Sequence, residues 1–523
     1  MFWTRLGVLL TGALVGMGCA AQGGRAVQFP VESISVPERS ADYSTTPRPD
    51  GAVGGKGVTQ LQADLVAALS ERGQKPEADG ALAATASWAL HEMYQQHTID
   101  VMAAEAASRH FGFGGIVIGM VGLDMQNQDT WRDWLERLPT NMIVTRYGIR
   151  VSPSGRAAAV VLGSSELTYE TIPRDFEPGQ SVTLRGKVAD RFAFSHVFLT
   201  KPDGTVDEKR MAARGLAATF QLDSVGLYRL EVVGDGPTGP VVLSNVPLYV
   251  GIDEPVTSGS ATGVVDPEQA EQRMLMLLNE ARKSAGLGAL VADAELREMA
   301  LGHTEDMVDH RFFSHVSPST GTSGDRAKRS GILASIFGEN IAMSPTAETA
   351  HEGLMNSPGH RANMLRKEFT HVGIAAAKGD GALVVTMVFG RRPNPADLPA
   401  NAAQVEAAIV ALRASKGVSA VSSDPIYREA AQAGADELAD GGDASDVSKA
   451  IDAGVKRAVQ RLRSSRPGAC SFQVQLLELS QLAEIPALVL PALRRIGVGA
   501  HLYKGKHGTS LATVLMLEGV PCN

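Results

Sequence analysis

The sequence predicts an α+β multidomain protein in which a small antiparallel β-sandwich separates an α+β N-terminal region from two related α+β domains. Three observations carry this reading. A chain of 523 residues is too long for one core, and about 150 residues per domain gives three or four. Short alternating strands divided by turn signals fill the region 166–253. A segment around Leu278 reappears without a gap around Ile409, so part of the chain is an internal repeat.

Composition narrows the class. Hydrophobic residues form 44% of the chain and charged residues 20%, the balance of folded globular domains rather than of a disordered or polytopic chain. The formal net charge is −8 and no dense Lys/Arg block occurs, which leaves no phosphate-neutralising surface and excludes nucleic acid as a partner.

Residues 1–19 read as an export signal of lipoprotein type: Arg5, an apolar stretch from Leu6 to Met17 too short to span a bilayer stably, then small residues. Cys19 follows Gly18 and resembles the acylated cysteine of a bacterial lipobox. Gly16 stands where that motif usually has Leu, so ordinary cleavage near Ala20 and Ala21 is the alternative. The expected location is the cell envelope, on the outer membrane or cell surface, with the membrane reached through the lipid. With Cys19 assigned to the anchor, Cys470 and Cys522 remain; they form a disulfide that pins the last strand, or stay as two buried thiols.

The following elements come in order. Residues 20–57 are rich in Gly, Ser, Pro and Thr without an apolar period and read as a flexible tether. The region 58–165 opens on helical patterns at Leu61, Leu65 and Leu69 and closes on an apolar strand from Ala157 to Leu162, α then β. The sandwich region 166–253 has alternating segments such as the one from Tyr228 to Val233; it is expected to space other domains and is assigned no chemistry. A linker at 254–266 precedes a domain at 267–395, and the repeat occupies 400–523. In the repeat Arg282, Gly286, Asp293, Arg297, Glu298 and Ala300 find identities in Arg413, Gly417, Asp424, Arg428, Glu429 and Ala431. Asp293 and Asp424 each read as the N-cap of a helix. A fainter copy of the same start and finish, from Asp79, Leu82 and Ala86 to Arg146, Gly148 and Gly163, is visible in the first region.

Polar residues concentrate in three segments of the 267–395 domain: Phe312 to His315, Gly338 to Ala342, and Asn356 to Asn363. The order Asn-x-x-Arg, Phe-x-His, Gly-Glu-Asn-Ile-Ala, Asn-Ser-Pro-Gly-His-Arg-x-Asn and Val-Gly-Ile resembles the bacterial branch of the CAP superfamily, whose other members are cysteine-rich secretory proteins, antigens and pathogenesis-related proteins with an SCP-like extracellular domain. The resemblance covers roughly residues 270–392. It implies a central α-β-α sandwich, with 400–523 a degenerate CAP-like repeat and 58–165 a candidate for another. It also implies a cleft of two His and two Glu that binds a divalent metal in some members. Three of these carry over, onto His315, Glu339 and His360. The second Glu falls on Ser357; Glu352 and Asn340 are weaker candidates.

Two readings of the cleft stay open. Ser357 and Pro358 place His360 in the first turn of a helix, whose dipole favours a neutral ring, and a carboxylate between two imidazoles completes a His/His/carboxylate shell for a divalent metal such as zinc. The same residues equally form a buried hydrogen-bond network without a ligand. His303, His310, His351 and His371 read as solvated. Ser314 and Ser357 adjoin the cleft histidines but neither sits in a nucleophile elbow. The expected function is a binding or scaffold module presenting its cleft to a lipid, glycan or peptide, leaning away from catalysis. The alternative is a metal-assisted hydrolase of peptide or cell-wall polymer.

Overall fold

The computed structural model describes residues 10–14, 33–48, 53–54, 57–96, 101–125, 136, 141–212, 214–255, 263–379, 382–392, 398–399, 401–442, 444–462, 469–505 and 508–520. It divides into two compact units, Val8–Arg329 with Gly338–Phe389, and Ser330–Phe337 with Gly390–Asn523. Cys19 lies outside the described residues.

In the first unit, the helices Val58–Glu71, Gly80–Gln96 and Val101–His110 accompany a sheet in the order Val53–Gly54, Arg146–Val151, Ala157–Ser164, Ile116–Asp124. Leu61, Leu65 and Leu69, at helical spacing, are the buried stripe of the first helix. The β-sandwich follows. One sheet runs Asp175–Phe176, Gly239–Val250, Gly226–Gly236, Phe194–Thr200, Val206–Met211; the other runs Gly215–Leu222, Gln180–Val188, Leu167–Tyr169. In Gly215–Leu222 alternate residues are buried, the pattern of a strand with one wet face. In Gly226–Gly236 burial is nearly continuous from Leu230 to Gly234, so both faces of that strand are covered.

The domain that follows has the sheet order Leu10–Leu14, Phe337–Ser344, Leu383–Gly390, His371–Lys378, Val291–Ala292. The first strand belongs to the expected export signal and runs parallel to the second, with Leu10 opposite Glu339 and Leu14 opposite Met343. Every residue of Leu383–Gly390 is buried, as expected for a central strand between two layers. One apolar cluster runs from Leu65 and Ile149 to Phe312, Ile341 and Val384, so the 58–165 region and this domain share a core.

The second unit carries the helices Ala402–Ser415, Pro425–Ala439 and Ala444–Leu462 and a sheet in the order Ser422–Ser423, Arg495–Gly505, Gly508–Glu518, Cys470–Leu476. Between Cys470–Leu476 and Arg495–Gly505 the chain makes the short 3-10 turns Leu479–Glu484 and Pro486–Val489.

One local arrangement occurs three times. The N–H groups of Asp79, Asp293 and Asp424 donate to the carbonyls of Tyr147, Val372 and Ile496 at 2.8, 2.9 and 2.8 Å. Each Asp side chain then caps the helix it opens, accepting from Ala81, Leu296 and Ile426 at 2.9 Å. Gly148, Gly373 and Gly497 follow those carbonyls and touch the helix backbone so closely that a Cβ would lie 2.2, 2.1 and 2.2 Å from it. Buried Arg282 and Arg413 also match: one donates to the carbonyls of Gly288, Met364 and Arg366, the other to those of Ser419, Leu488 and Leu490.

One expectation needs correction. The 20–57 tether is ordered over part of its length, because Tyr43 is fully buried, stacks under Arg174 and pairs with Ile172. Of the expected Cys470–Cys522 pair, Cys522 lies outside the described residues; Cys470 is disulfide-bonded, and its Sγ lies 3.3 Å from the Val520 carbonyl.

Candidate functional site

The segment bearing His315 is held from three sides. Asp293 starts the helix Ala294–Asp309, which ends at His310; Arg311, at φ 50°, then turns the chain back in the left-handed region. Phe312 and Phe313 enter the shared core. Asn141 clamps the Phe313 backbone, donating to its carbonyl at 2.8 Å and accepting from its N–H at 2.9 Å. Ser314 donates to the Thr238 carbonyl of the β-sandwich at 2.7 Å.

His303 lies beneath this segment and is fully buried, not solvated. Its Nε2 donates to the Ser314 carbonyl at 3.0 Å. Burial, only partly offset by Glu339, pushes the imidazole down to about 4, so the ring is neutral at pH 7. His351 is likewise half-buried and pushed down to about 4 by burial.

Glu339 is the hub. It is fully buried on the strand Phe337–Ser344, where Oε1 accepts from His315 Nδ1 at 2.9 Å and Oε2 accepts from Arg326 at 2.6 Å. Burial opposes its ionisation, but Arg326, His303 and His315 outweigh burial and hold the carboxyl down to about 2. Arg326 also donates to the carbonyls of His315 and Gly321. Because His315 Nδ1 carries a proton for Glu339, the Nε2 of a neutral ring is a bare acceptor, and it is buried without a protein partner.

His360 sits in the first turn of Pro358–Met364, as the proline at N1 dictates. Asn340 donates to the His360 carbonyl at 3.1 Å and accepts from Asn363 at 2.9 Å, tying this helix to the Glu339 strand. Ser357 occupies the N-cap position without capping through its side chain. Its hydroxyl lies 2.6 Å from His360 Nδ1 and donates at 2.5 Å to Glu231 of the β-sandwich. Glu231 also accepts from the Gly359 N–H at 2.9 Å, so a carboxylate from another domain serves as this helix's cap. Glu352 is exposed, away from this buried cluster.

The metal expectation is overturned. Among the described residues no group of three or more His, Cys, Asp or Glu side chains is placed to hold a metal ion. The cause is local: Arg326 supplies the cation that Glu339 would share with a metal, His315 turns Nδ1 onto the same carboxylate, and His360 turns Nδ1 onto Ser357. His315, Glu339 and His360 are thus gathered into one buried region without converging on a common centre.

Beside His315 is an open pocket of about 70 Å³. Ile116, Ile118, Met142, Val241, Leu243, Phe313 and Ile341 give it apolar walls; Asn141, Ser314, His315 and the ion pair of Arg191 with Glu166 are polar.

The profile of the family described as "CAP: Cysteine-rich secretory protein family" matches residues 275–389. This segment is a CAP domain. The chain is 39% identical over 106 residues to the uncharacterized membrane protein YlbC and over 105 residues to the uncharacterized protein YkwD, both of Bacillus subtilis (strain 168). Each match covers 20% of this chain; it spans 31% of the first relative and 41% of the second. A crystal structure of an extracellular protein containing an SCP domain from Bacillus anthracis str. Ames matches at 22% identity over 44% of this chain and 87% of that one, with a TM-score of 0.23.

The CAP motifs locate His315, Glu339, His360 and Asn340. They do not reveal Arg326, which lies among exposed charged residues of Ser323–Ser330, or Glu231, whose signal is a single carboxylate inside the apolar run Leu230 to Val233.

Proposed function

We propose that this is an exported, non-catalytic binding protein whose CAP domain holds a small amphiphile in the pocket beside His315. The observation that carries the reading is that His315, whose buried Nε2 has no protein partner, lines a pocket with largely apolar walls. The apolar walls suit a short apolar group of a ligand, and the acceptor nitrogen suits one hydroxyl or amide N–H donor. Ser314 and Ser357 donate their hydroxyl protons to Thr238 and Glu231, so neither is poised as a nucleophile.

A dansyl-labelled alkanol tests the reading by fluorescence titration of the full chain. Saturable one-to-one binding is expected; Ile143 also lines the pocket, so Ile143→Trp, which fills it, abolishes binding, and His315→Ala weakens it roughly tenfold through loss of one hydrogen bond. Absence of binding to the wild type, or equal binding by the Ile143→Trp protein, refutes it.

The export signal and Cys19 supply the proposed location, an envelope membrane reached through a lipid on that cysteine. Release of the Cys19→Ser protein from the membrane fraction is the expected result, and unchanged partitioning defeats the anchor. The recurring Asp–carbonyl–Gly arrangement supports reading 58–165 and 400–523 as degenerate relatives of the CAP domain that keep its core without its site.

A further inference from the structure

The β-sandwich carries one side chain whose placement a spacer does not need. Glu231 lies between Leu230 and Val232, which both face the sandwich core, and its own side chain points the other way into the CAP domain, fully buried. A carboxylate removed from water is retained only where donors surround it. Here they are the Ser357 hydroxyl, the Gly359 N–H and, at 3.3 Å, the Asn245 amide. Arg229 on its own strand and Glu105 on Val101–His110 are the charged groups that act on it at longer range.

Ser357 has one hydroxyl proton. When that proton is directed at the Glu231 carboxylate, the Ser357 oxygen can only accept from His360, 2.6 Å away. The ring must then carry its proton on Nδ1 and leave Nε2 as an acceptor. If Glu231 instead bears a proton, it donates to Ser357, Ser357 donates to His360 Nδ1, and the ring proton sits on Nε2. The three groups form a relay whose direction is set at the sandwich end. Other sandwich contacts fix the register: Asn245 donates to the Asn356 carbonyl at 3.0 Å, and Arg361 donates to the Gly204 carbonyl at 3.2 Å.

We infer that Glu231 is a fourth member of the CAP site, a positioning residue that selects the His360 tautomer through Ser357. The β-sandwich thereby supplies from a neighbouring domain the carboxylate that the CAP motif lacks at Ser357. Burial pushes the Glu231 carboxyl up to about 7 against the pull of Ser357 and Gly359, so the relay reverses in the neutral range.

The test is the protonated nitrogen of His360, read from 15N shifts in solid-state NMR of the full chain labelled at histidine, with the signal assigned by its loss in His360→Gln. At pH 8.5 the wild type is expected to carry the proton on Nδ1. A proton on Nε2, or on both nitrogens, overturns the inference without any mutant having to fold. Glu231→Gln is near-isosteric and imitates the protonated acid, its amide donating to Ser357, so the His360 proton moves to Nε2 at the same pH. A merely structural Glu231 would leave the tautomer unchanged, and that result overturns the inference. Neither outcome depends on whether the pocket beside His315 binds an amphiphile.

Discussion

Replacing Glu231 by Gln should raise stability at alkaline pH and do little at acid pH. The carboxyl titrates near 4.5 in an unfolded chain and at about 7 in the folded protein, chiefly because burial disfavours its charge. Between those values the unfolded chain is ionised while the folded chain holds its proton, so each pH unit shifts the balance toward unfolding by roughly 1.4 kcal/mol. The penalty is absent below the lower value and complete above the higher one, about 3 kcal/mol in all. Gln has no such titration. Urea midpoints at pH 4.5, 6, 7 and 8 for both proteins give the difference curve. The variant should gain about 3 kcal/mol on the wild type across that window. Other groups act with the opposite sign. His303, pushed down to about 4, contributes stability that is lost as pH falls from 6.5, and Glu339, held at about 2, loses its contribution below 4.5. Both are common to the two proteins and cancel in the difference. A difference that is flat with pH would refute the assignment of a buried, proton-retaining Glu231.

Arg326→Met removes the counter-charge of a fully buried carboxylate, and breaking such a pair costs about 3–5 kcal/mol. Without Arg326, burial raises the Glu339 carboxyl, so the loss should shrink between pH 7.5 and pH 5; a denaturation midpoint equal to wild type at pH 7.5 would contradict it. A methyl at Gly148, Gly373 or Gly497 meets helix backbone, so Gly→Ala at each should destabilise by about 3 kcal/mol. Gly302→Ala, inside the helix Ala294–Asp309 with open space around it, should instead stabilise by up to about 1 kcal/mol. Calorimetric melting of the four variants checks the contrast.

What the sequence made legible is what depends on neighbours along the chain. Asp293 and Asp424 cap the helices that their positions announce, and the repeat around Arg282 and Arg413 corresponds to a shared way of holding loop carbonyls. The pairing of His315 with Glu339 was legible through the CAP motifs. What was hidden depends on contacts between distant segments. His303 has helical spacing compatible with a wet face, yet the Phe312 to Ser314 segment folds over it. Arg326 displaces the metal reading from a helix whose composition is that of a solvated surface. Tyr43 orders part of a Gly- and Ser-rich stretch because a distant arginine, Arg174, stacks on its ring.

The strand Gly226–Gly236, covered on both faces, has a consequence for how these domains can be inherited. A β-sandwich that only sets distance can be exchanged for another of the same length. This one cannot, because Glu231 caps a helix of its neighbour and the Thr238 carbonyl accepts a hydrogen bond from the Ser314 hydroxyl. A CAP domain transplanted without it would expose the Ser357 hydroxyl and the Gly359 N–H to water. The sandwich and the CAP domain should therefore travel together as one heritable pair, and a tandem chimera that keeps the CAP domain but changes the sandwich would have to supply a new carboxylate at that position.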